Sequence, residues 1–512
     1  MLLRKVQKVA VKFNSGIEIS GLSPSELDKV KKDLTFDNPL YATTQRYSRY
    51  SYTTVPPYLT YFTERGNSIS VPIGYDLSQF HIGKVEDQRV YEKIKTSPFL
   101  LELRDSQKEA AESYLTANES FNLKGSIQLP TGKGKSILGL YLASVLSTKT
   151  LIVVHKDDLV SGWTKDIELA FGGKVIPGLI KAKSRKVGHF ITIATVQTLN
   201  KLSLQELEEL HNQFGFIIQD EMHHCPSTSF GIVSRFPARY KLGLTATPER
   251  TDGLAHVMTL YYGDFCYKYE HSDDDKDILP VKVIVRKNDL YFNPLCKEVA
   301  PDRYKIVNLS FPKTQSLKDG EKRLSDIPYS HRPKVSFQVI DDFAVRGLKE
   351  FVCEDILKEY DKGHSCIVFF TLKEHCRLYY EHLLEFVNEE DIGLYYGDNS
   401  DNEKVLEKAE KQRKFITLTT YAKATEGTNV KQWEVEFLVS SVNNEKNAEQ
   451  AVGRIRRVKE GQKLNPVLVY DYRTPNVYTL ASHGSTRDRR YKHLHFTFEG
   501  SERVGLFSRG YR

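Results

Sequence analysis

The sequence is poor in cysteine, and its cysteines lack the spacing of a metal site or a disulfide framework. Six cysteines are scattered along 512 residues without a C-x-x-C pair. We therefore expect neither a zinc module nor a disulfide scaffold, and a reducing compartment is the natural inference. The runs His223-His224-Cys225 and His375-Cys376 do not favour a metal site, because side chains adjacent in sequence point in different directions.

Long apolar runs are also absent. No run of ~18 uncharged apolar residues occurs, which is the length that a membrane-spanning helix needs. The N-terminal stretch MLLRKVQKVAVKF is charged at short intervals and lacks the apolar centre of a signal peptide. We therefore expect a soluble cytoplasmic protein with no membrane partner. The net charge of +7 is compatible with a polyanionic partner, but many enzymes of this size carry a similar excess.

The first 95 residues have the pattern of a small accessory domain. Ser23 is placed as a helix N-cap, with Pro24 at the first helical position and Glu26 completing a capping box. A stretch rich in tyrosine and threonine follows and predicts a small sheet. Residues 1–95 are therefore predicted to form an α+β domain.

The rest of the chain is dominated by two segments of α/β character. Residues 96–262 and 336–480 contain short β-branched and aliphatic runs separated by helical segments. This texture indicates parallel sheets that are buried on both faces. Residues 263–335 are predicted to be a connector that contributes some strands, and residues 481–512 a basic tail.

The stretch LPTGKGKS, which begins at Leu129, resembles a phosphate-binding loop without its first glycine. The pattern G-x-x-x-x-G-K-[ST] requires glycine where Leu129 stands. An apolar strand before the loop and a helix after it nevertheless favour nucleotide binding over a lysine-rich turn. Lys135 would reach the β and γ phosphates, and Ser136 would bind Mg²⁺. The candidate nucleotide contacts of the loop are Thr131, Gly132, Lys133, Gly134, Lys135 and Ser136.

A pair of carboxylates follows another apolar strand in FGFIIQDEMHH. Asp220, at the strand tip, can hold Mg²⁺ directly or through water, and Glu221 can orient and deprotonate an attacking water. The alternative, a solvent-exposed acidic turn, is less expected after such a strand with a phosphate loop upstream. The pair predicts hydrolysis of ATP or GTP.

Four motifs in their order resemble a known family. LPTGKGKS, DEMHH, LTATPERTDG and QAVGRIRR resemble motifs I, II, III and VI of superfamily 2 helicases, and the resemblance covers roughly residues 100–480. The combination of the second and third resembles the branch that includes XPB-like and type I restriction motors. The resemblance implies two tandem RecA-like parallel-sheet domains behind the accessory domain, with ATP and Mg²⁺ as cofactors. Loops of this superfamily often carry an apolar residue where Leu129 stands.

The resemblance also implies roles for residues of the first α/β segment. Gln107, in a Q-motif-like stretch, would read the adenine edge. Thr245 and Thr247 of motif III would couple hydrolysis to domain movement. The segments resembling motifs Ia and Ic line the nucleic-acid track in the family, and their candidate contacts are His155, Gln197 and Thr198.

In the second segment, Thr371 and Thr420 stand in stretches that resemble motifs IV and V and are candidates for the nucleic-acid track. Gly427 would lie near the nucleotide. The residues that match Q-x-x-G-R-x-x-R are Gln450, Arg454 and Arg457. The arginines would reach across an interdomain cleft to the γ-phosphate and stabilise its developing charge. On its own, such a basic cluster could equally be a solvated face or a contact to backbone phosphates.

The layout of the accessory domain before the Q-motif resembles UvsW and related bacteriophage branch-migration helicases. Arg46, Arg49 and Tyr50 could contact phosphates and stack on unpaired bases. The alternative is that the tyrosines of this stretch are simply the core and solvent-facing positions of one small sheet. We therefore expect a monomeric ATP-dependent DNA helicase that remodels forked or branched DNA in an infected bacterial cell. The alternatives are an RNA or transcription-linked translocase, a restriction-type motor subunit and a DNA-binding scaffold that does not unwind.

Overall fold

The computed structural model of the protein describes most of the chain: residues 8–41, 55–118, 125–224, 228–246, 254–270, 278–309, 317–397, 399–424, 430–442, 445–456, 458, 465–499 and 503–504. The chain divides into two compact units, Met1–Glu270 and His271–Arg512. Within the ranges just given, no helix is long and apolar enough to cross a membrane.

The N-terminal part of the first unit is a small sheet with one apolar face. Val9, Val11 and Phe13 are buried and alternate with half-buried residues, as expected of a strand with one face in a core. The capping box is present, since the Ser23 backbone N–H donates to Glu26 at 2.8 Å. The strand order is β5-β6-β2-β1-β7, with β3 and β4 paired separately. The elements are β1 (Val9–Phe13), β2 (Ile17–Ser20), α1 (Pro24–Asp33), β3 (Thr35–Asp37), β4 (Tyr58–Thr60), β5 (Thr63–Arg65), β6 (Ser68–Val71) and β7 (Ile82–Asp87).

An eight-stranded sheet forms the rest of the first unit, in the order β11-β10-β12-β9-β13-β14-β8-β15. Its central strands are buried along their whole length because helices cover both faces. The elements are α2 (Asp105–Ala117), β8 (Ser126–Gln128), α3 (Lys135–Leu146), β9 (Thr150–Val154), α4 (Asp157–Phe171), β10 (Gly178–Lys181), β11 (Ser184–Lys186), β12 (Ile191–Thr195), α5 (Val196–Leu199), α6 (Leu204–His211), β13 (Phe216–Gln219), β14 (Tyr240–Thr245), α7 (Val257–Tyr262) and β15 (Phe265–Lys268).

Three neighbouring strands of this sheet end beside one another. Strand β14 pairs in parallel with β13 on one side and with β8 on the other. The carboxyl ends of parallel strands meet at one edge of a sheet, where ligands of such folds bind. The loops that begin after β8 and β13, with the motif I and II texts, therefore start beside the end of β14, which carries the start of the motif III text.

The second unit contains another eight-stranded sheet and a separate three-stranded one. The main order is β21-β22-β20-β23-β24-β16-β25, with β26 also on β16, and the small sheet has the order β18-β17-β19. The elements are β16 (Val281–Asn288), β17 (Leu295–Ala300), β18 (Arg303–Asn308), β19 (Glu321–Arg323), α8 (Phe337–Gly347), α9 (Lys349–Asp361), β20 (Ser365–Phe370), α10 (Lys373–Leu383), β21 (Ile392–Tyr395), α11 (Asn402–Lys411), β22 (Ile416–Thr420), α12 (Tyr421–Ala424), β23 (Trp433–Leu438), α13 (Glu445–Val452), β24 (Val467–Arg473), α14 (Tyr478–His493), β25 (Thr497–Glu499) and β26 (Arg503–Val504).

The predicted fold class is confirmed. The segment 263–335, predicted to be a connector that contributes some strands, carries β15 of the first sheet and β16 of the second, where β16 pairs with β24. Part of the segment predicted to be a basic tail forms the end of helix α14 and β25, which also pairs with β16. Pairing between segments far apart in sequence decides where such strands lie, and local patterns do not record it.

Candidate nucleotide-binding site

The loop between β8 and α3 depends on glycine where its backbone becomes left-handed. Gly132 and Gly134 have φ values of +91° and +71°. Gly134 is also the N-cap of α3, and a Cβ atom there would lie 2.5 Å from Nε2 of Gln107. Leu129 is fully buried, and its N–H donates to the Thr245 carbonyl at 3.0 Å. The missing glycine is therefore an end-of-strand core position, and the turn is made further along.

Helix α2 holds this loop through side chains. The Gln107 carboxamide donates to the carbonyls of Lys133 and Gly134 at 3.1 and 2.9 Å and accepts from the Arg104 backbone N–H at 2.9 Å. The Arg104 guanidinium donates to the Gly132 carbonyl at 2.9 Å. The structure thus gives Gln107 a loop-holding position, and its reading of the adenine edge stays a prediction.

Lys133 and Lys135 lie in different surroundings. Lys133 is 1% exposed, and its ammonium lies over the Tyr269 ring at 4.7 Å from the centroid. Lys135, the first residue of α3, donates to the Leu129 carbonyl at 3.4 Å, and its ammonium lies 3.9 Å from Oε1 of Glu221. The structure therefore brings together the predicted phosphate-binding lysine and the predicted general base.

The carboxylate of Asp220 is buried and held from both sides. Its Oδ2 accepts from Trp163 Nε1 at 3.0 Å, and its Oδ1 accepts from the Glu221 backbone N–H at 3.0 Å. Burial and the neighbouring Glu221 carboxylate raise the pKa of Asp220, and Lys135 opposes that shift. A carboxylate in this position favours the approach of a cation.

The donor set fits Mg²⁺. Ser136 Oγ donates its proton to Asp166, so its lone pairs stay available for a cation, and the Asp220 carboxylate supplies a second oxygen ligand. Mg²⁺ usually takes one or two protein carboxylates and completes its shell with water and phosphate. Among the described residues, no group of three or more His, Cys, Asp or Glu is placed to hold a metal ion by itself.

His223 connects the acidic pair to the end of β14. Its Nδ1 lies 3.3 Å from Oε2 of Glu221 and 3.2 Å from Oγ1 of Thr245. The predicted coupling residue Thr245 is therefore one side chain away from the predicted general base. Glu221 itself has φ +49°, a left-handed conformation that costs about 1–2 kcal/mol and is typical of active sites.

Two of the three predicted nucleic-acid contacts in the stretches that resemble motifs Ia and Ic are buried. The His155 side chain is 6% exposed and lies close enough to Asp220 to oppose part of the rise in the pKa of Asp220. Thr198 is 7% exposed, and its hydroxyl is hydrogen-bonded to that of Thr195 at 2.8 Å. Gln197 is exposed and donates to the His155 carbonyl at 2.6 Å. Of the three, only Gln197 presents its side chain at the surface.

The predicted residues of the second unit are also largely enclosed. Thr371 donates to Asp341 at 2.6 Å, and Thr420 is 8% exposed at the end of β22. Gln450 and Arg454 are 4% and 8% exposed on and just after α13. Six predicted site residues lie outside the described residues: Arg46, Arg49, Tyr50, Thr247, Gly427 and Arg457.

Three residues of the site were missed at the sequence level: Trp163, Asp166 and Arg104. Trp163 and Asp166 lie on α4, 57 and 30 positions from Asp220 and Ser136, respectively. No spacing rule links such distant positions. The signal available was modest: Trp163 is one of only two tryptophans, and Arg104 directly precedes the Q-motif helix.

A left-handed glycine loop, a lysine at the helix start and a strand-end acidic pair define the first unit as a phosphate-loop nucleoside triphosphatase domain. Two family models match the chain. One is described as type III restriction enzyme, res subunit, and matches residues 100–250, and the other is described as helicase conserved C-terminal domain and matches residues 348–459. Together these matches support a superfamily 2 helicase that resembles the branch of XPB-like and type I restriction motors.

The chain is similar to individual relatives and to solved structures to different extents. The DNA 3'-5' translocase XPB2 of Sulfurisphaera tokodaii is 28% identical over 381 residues, covering 71% of this chain and 80% of that protein. An ATP-dependent RNA helicase of Acanthamoeba polyphaga mimivirus is 25% identical over 412 residues, covering 80% and 71%. A fragment of an HsdR type I restriction subunit from Vibrio vulnificus shares the fold, with a TM-score of 0.55, 17% identity and coverage of 80% and 70%. T4 UvsW aligns over 98% of this chain and 100% of that chain with 15% identity, but its TM-score is 0.38.

Proposed function

We propose that the protein is an ATP-dependent DNA translocase that remodels forked or branched DNA. The observation that carries the motor part of the proposal is the connected series Lys135, Glu221, His223 and Thr245, which joins motifs I, II and III. In such a series of side-chain contacts, a change in charge or position at the phosphates can be transmitted to Thr245 at the end of β14. That is the arrangement that a motor needs to convert hydrolysis into movement.

Each residue of the site has a specific task in this proposal. Lys135 and the N–H groups of the loop bind the phosphates, and Arg104 and Gln107 keep the loop in shape. Ser136 and Asp220 would hold Mg²⁺, which supplies charge neutralisation at the transferred phosphate. Glu221 accepts the proton of the attacking water, and its carboxylate is oriented by His223.

The arginine-finger role of Arg454 and Arg457 stays a prediction. Arg454 is buried in the second unit, and its charge opposes the strong upward shift that burial and Asp471 cause in the pKa of Glu436. Glu436 is fully buried on β23.

DNA is proposed as the substrate because the archaeal relative is a DNA translocase and because the small sheet precedes the motor. Tyr58, on the separate β3–β4 pair, is 57% exposed, and Arg65 lies on β5 of the small sheet, whose three residues are all exposed. Both positions suit contacts to bases and phosphates. The second candidate is an RNA translocase, which the mimiviral RNA helicase at similar coverage favours.

The test compares ATPase stimulation by a forked duplex, a Holliday junction, a tailed duplex and single-stranded RNA. We expect the branched DNAs to stimulate most and to be unwound in a strand-displacement assay with ATP. Lys135→Ala provides the inactive control. Stimulation by RNA alone would favour the second candidate, and stimulation without strand displacement on any DNA would favour a scaffold that does not unwind.

A further inference from the structure

Two side chains on one helix contact the two predicted magnesium ligands. Trp163 donates to Asp220 at 3.0 Å, and Asp166 accepts from Ser136. Both side chains belong to α4 and are three positions apart, so they lie on one face of the helix. That face therefore reaches the end of β13 and the start of α3 at once.

Each of these bonds determines how an oxygen is presented. A serine hydroxyl has one proton and two lone pairs, and Asp166 engages the proton of Ser136, which leaves the lone pairs for a cation. The Asp220 carboxylate is fixed at both oxygens, by Trp163 and by the Glu221 backbone N–H. Partners of this kind orient metal ligands, and losing one typically weakens metal affinity or activity by about 10–100-fold.

The helix face that carries these groups is firmly packed. Trp163 is 3% exposed and belongs to the core of the first sheet, together with Ile167 on the same helix. Its ring also lies against α3, because a Cβ atom at Gly139 would come within 3.4 Å of it and within 3.2 Å of Ile218 on β13. The ring thus packs beside α3, which begins next to Ser136, and beside the end of β13, which leads to Asp220.

We propose that Trp163 and Asp166 are positioning residues that hold Asp220 and Ser136 in the geometry that Mg²⁺-nucleotide requires. The inference rests on the proposed ATPase function and deepens it. It assigns to α4, which begins within the motif Ia text, control over the metal half of the nucleotide site. A residue with a purely structural role would change stability without changing the Mg²⁺ dependence.

The test uses the full chain with Trp163→Phe and Asp166→Ala. We measure the Mg²⁺ concentration for half-maximal ATPase and, by calorimetry, the affinity for ADP in Mg²⁺ and in EDTA. The expected result is a rise of about 10–100-fold in the Mg²⁺ requirement and a similar loss of the Mg²⁺-dependent part of ADP affinity. ADP affinity in EDTA should be unchanged, which also shows that the loop is folded.

Matched controls are available on the same helix and at the other tryptophan. Glu168→Ala removes an exposed carboxylate from α4, and Trp433→Phe removes the indole that donates to Thr417 at 3.1 Å in the second unit. Both should keep the wild-type Mg²⁺ dependence. In the Trp433→Phe protein, Trp163 is the remaining tryptophan, so its fluorescence should change when Mg²⁺ is added to the ADP complex.

The outcomes separate the two claims. A wild-type protein without ATPase activity or Mg²⁺-dependent ADP binding would refute the proposed function. An active wild type whose Trp163→Phe and Asp166→Ala variants keep its Mg²⁺ dependence would refute the positioning role alone. Equal loss of ADP affinity in Mg²⁺ and EDTA would also refute it. If Trp163→Phe does not fold, the Asp166→Ala variant still tests the positioning role, because Asp166 is only half-buried.

Discussion

At the scale of single residues, Glu221 combines backbone strain with two charged neighbours. Its left-handed backbone is retained while its N–H bonds to Asp220, and its carboxylate lies between Lys135 and His223. A base in this position can accept a proton from water, and its contact with His223 can transmit the change of charge to that histidine. A strained backbone of this kind is typical of functional sites, where the surrounding structure holds a conformation that is locally unfavourable.

Replacing the two groups that face each other should separate binding from chemistry. Lys135→Ala removes the phosphate-binding ammonium and should abolish ATP binding and turnover. Glu221→Gln keeps the shape but not the basicity, so kcat should fall by about 10²–10⁴-fold with little change in ATP affinity. Nucleic-acid-stimulated ATPase and nucleotide titration measure both effects. Lys108→Ala, on the exposed side of α2, is the control, and full turnover in either site variant would contradict the assignment.

At the scale of elements, the loop between β8 and α3 shows how a departure from a sequence pattern is accommodated. The chain stays in the core for one residue past β8, with Leu129 in the place of the expected glycine, and the turn begins at Pro130. The left-handed positions are then Gly132 and Gly134, and α2 closes over them through Gln107 and Arg104. Loop and helix thus form one unit that two separate motifs encode.

Two glycine substitutions should have opposite effects. Gly134→Ala places a Cβ atom in a left-handed residue and against Gln107, so it should cost about 1–2 kcal/mol and weaken nucleotide binding. Gly162→Ala adds a Cβ atom in open space within α4 and should stabilise the first unit by about 0.5–1 kcal/mol. Denaturant unfolding and ATP affinity test both. An unchanged ATP affinity in Gly134→Ala would show that the loop does not need this conformation.

At the scale of the whole molecule, the small N-terminal sheet and the first parallel sheet form one compact unit. Residues of α7 complete the apolar core of the small sheet, with Val257 packed among its strands. A cationic cluster lies where the two sheets meet: Arg89 and Arg239 surround Asp87, and Lys241 of β14 donates to the Ser15 carbonyl at 3.5 Å. The small sheet is thus built onto the motor's first sheet.

Lys241 makes the stability of this unit depend on pH. It is 1% exposed, and burial, followed by the charge of Arg89, lowers its pKa from 10.5 to about 7. Between these two values the unfolded chain binds more protons than the folded one, so stability rises with pH across that window. Below about pH 7 the folded unit carries the whole unfavourable cost of the buried charge.

Lys241→Met should therefore stabilise the first unit, and more so below pH 7 than near pH 9, by roughly a few kcal/mol at most. Thermal unfolding across this pH range measures the effect. Lys174→Met, which removes an exposed charge from the same unit, should leave the pH profile as in the wild type. If the stability of Lys241→Met depends on pH as in the wild type, the burial of Lys241 is not the cause of that dependence.

The sequence alone determined the local features, because each is encoded within a few neighbouring residues. These are the capping box at Ser23, the buried strands, the loop at Lys135 and the acidic pair, from which the fold class and the motor family follow. Only the tertiary structure decided which distant groups meet. Trp163 reaches Asp220, Asp166 reaches Ser136, and β16 pairs with β24. It also showed that His155 and Thr198 face inward. Periodicity records which side of an element is buried, whereas the partner across that side is chosen by packing in three dimensions.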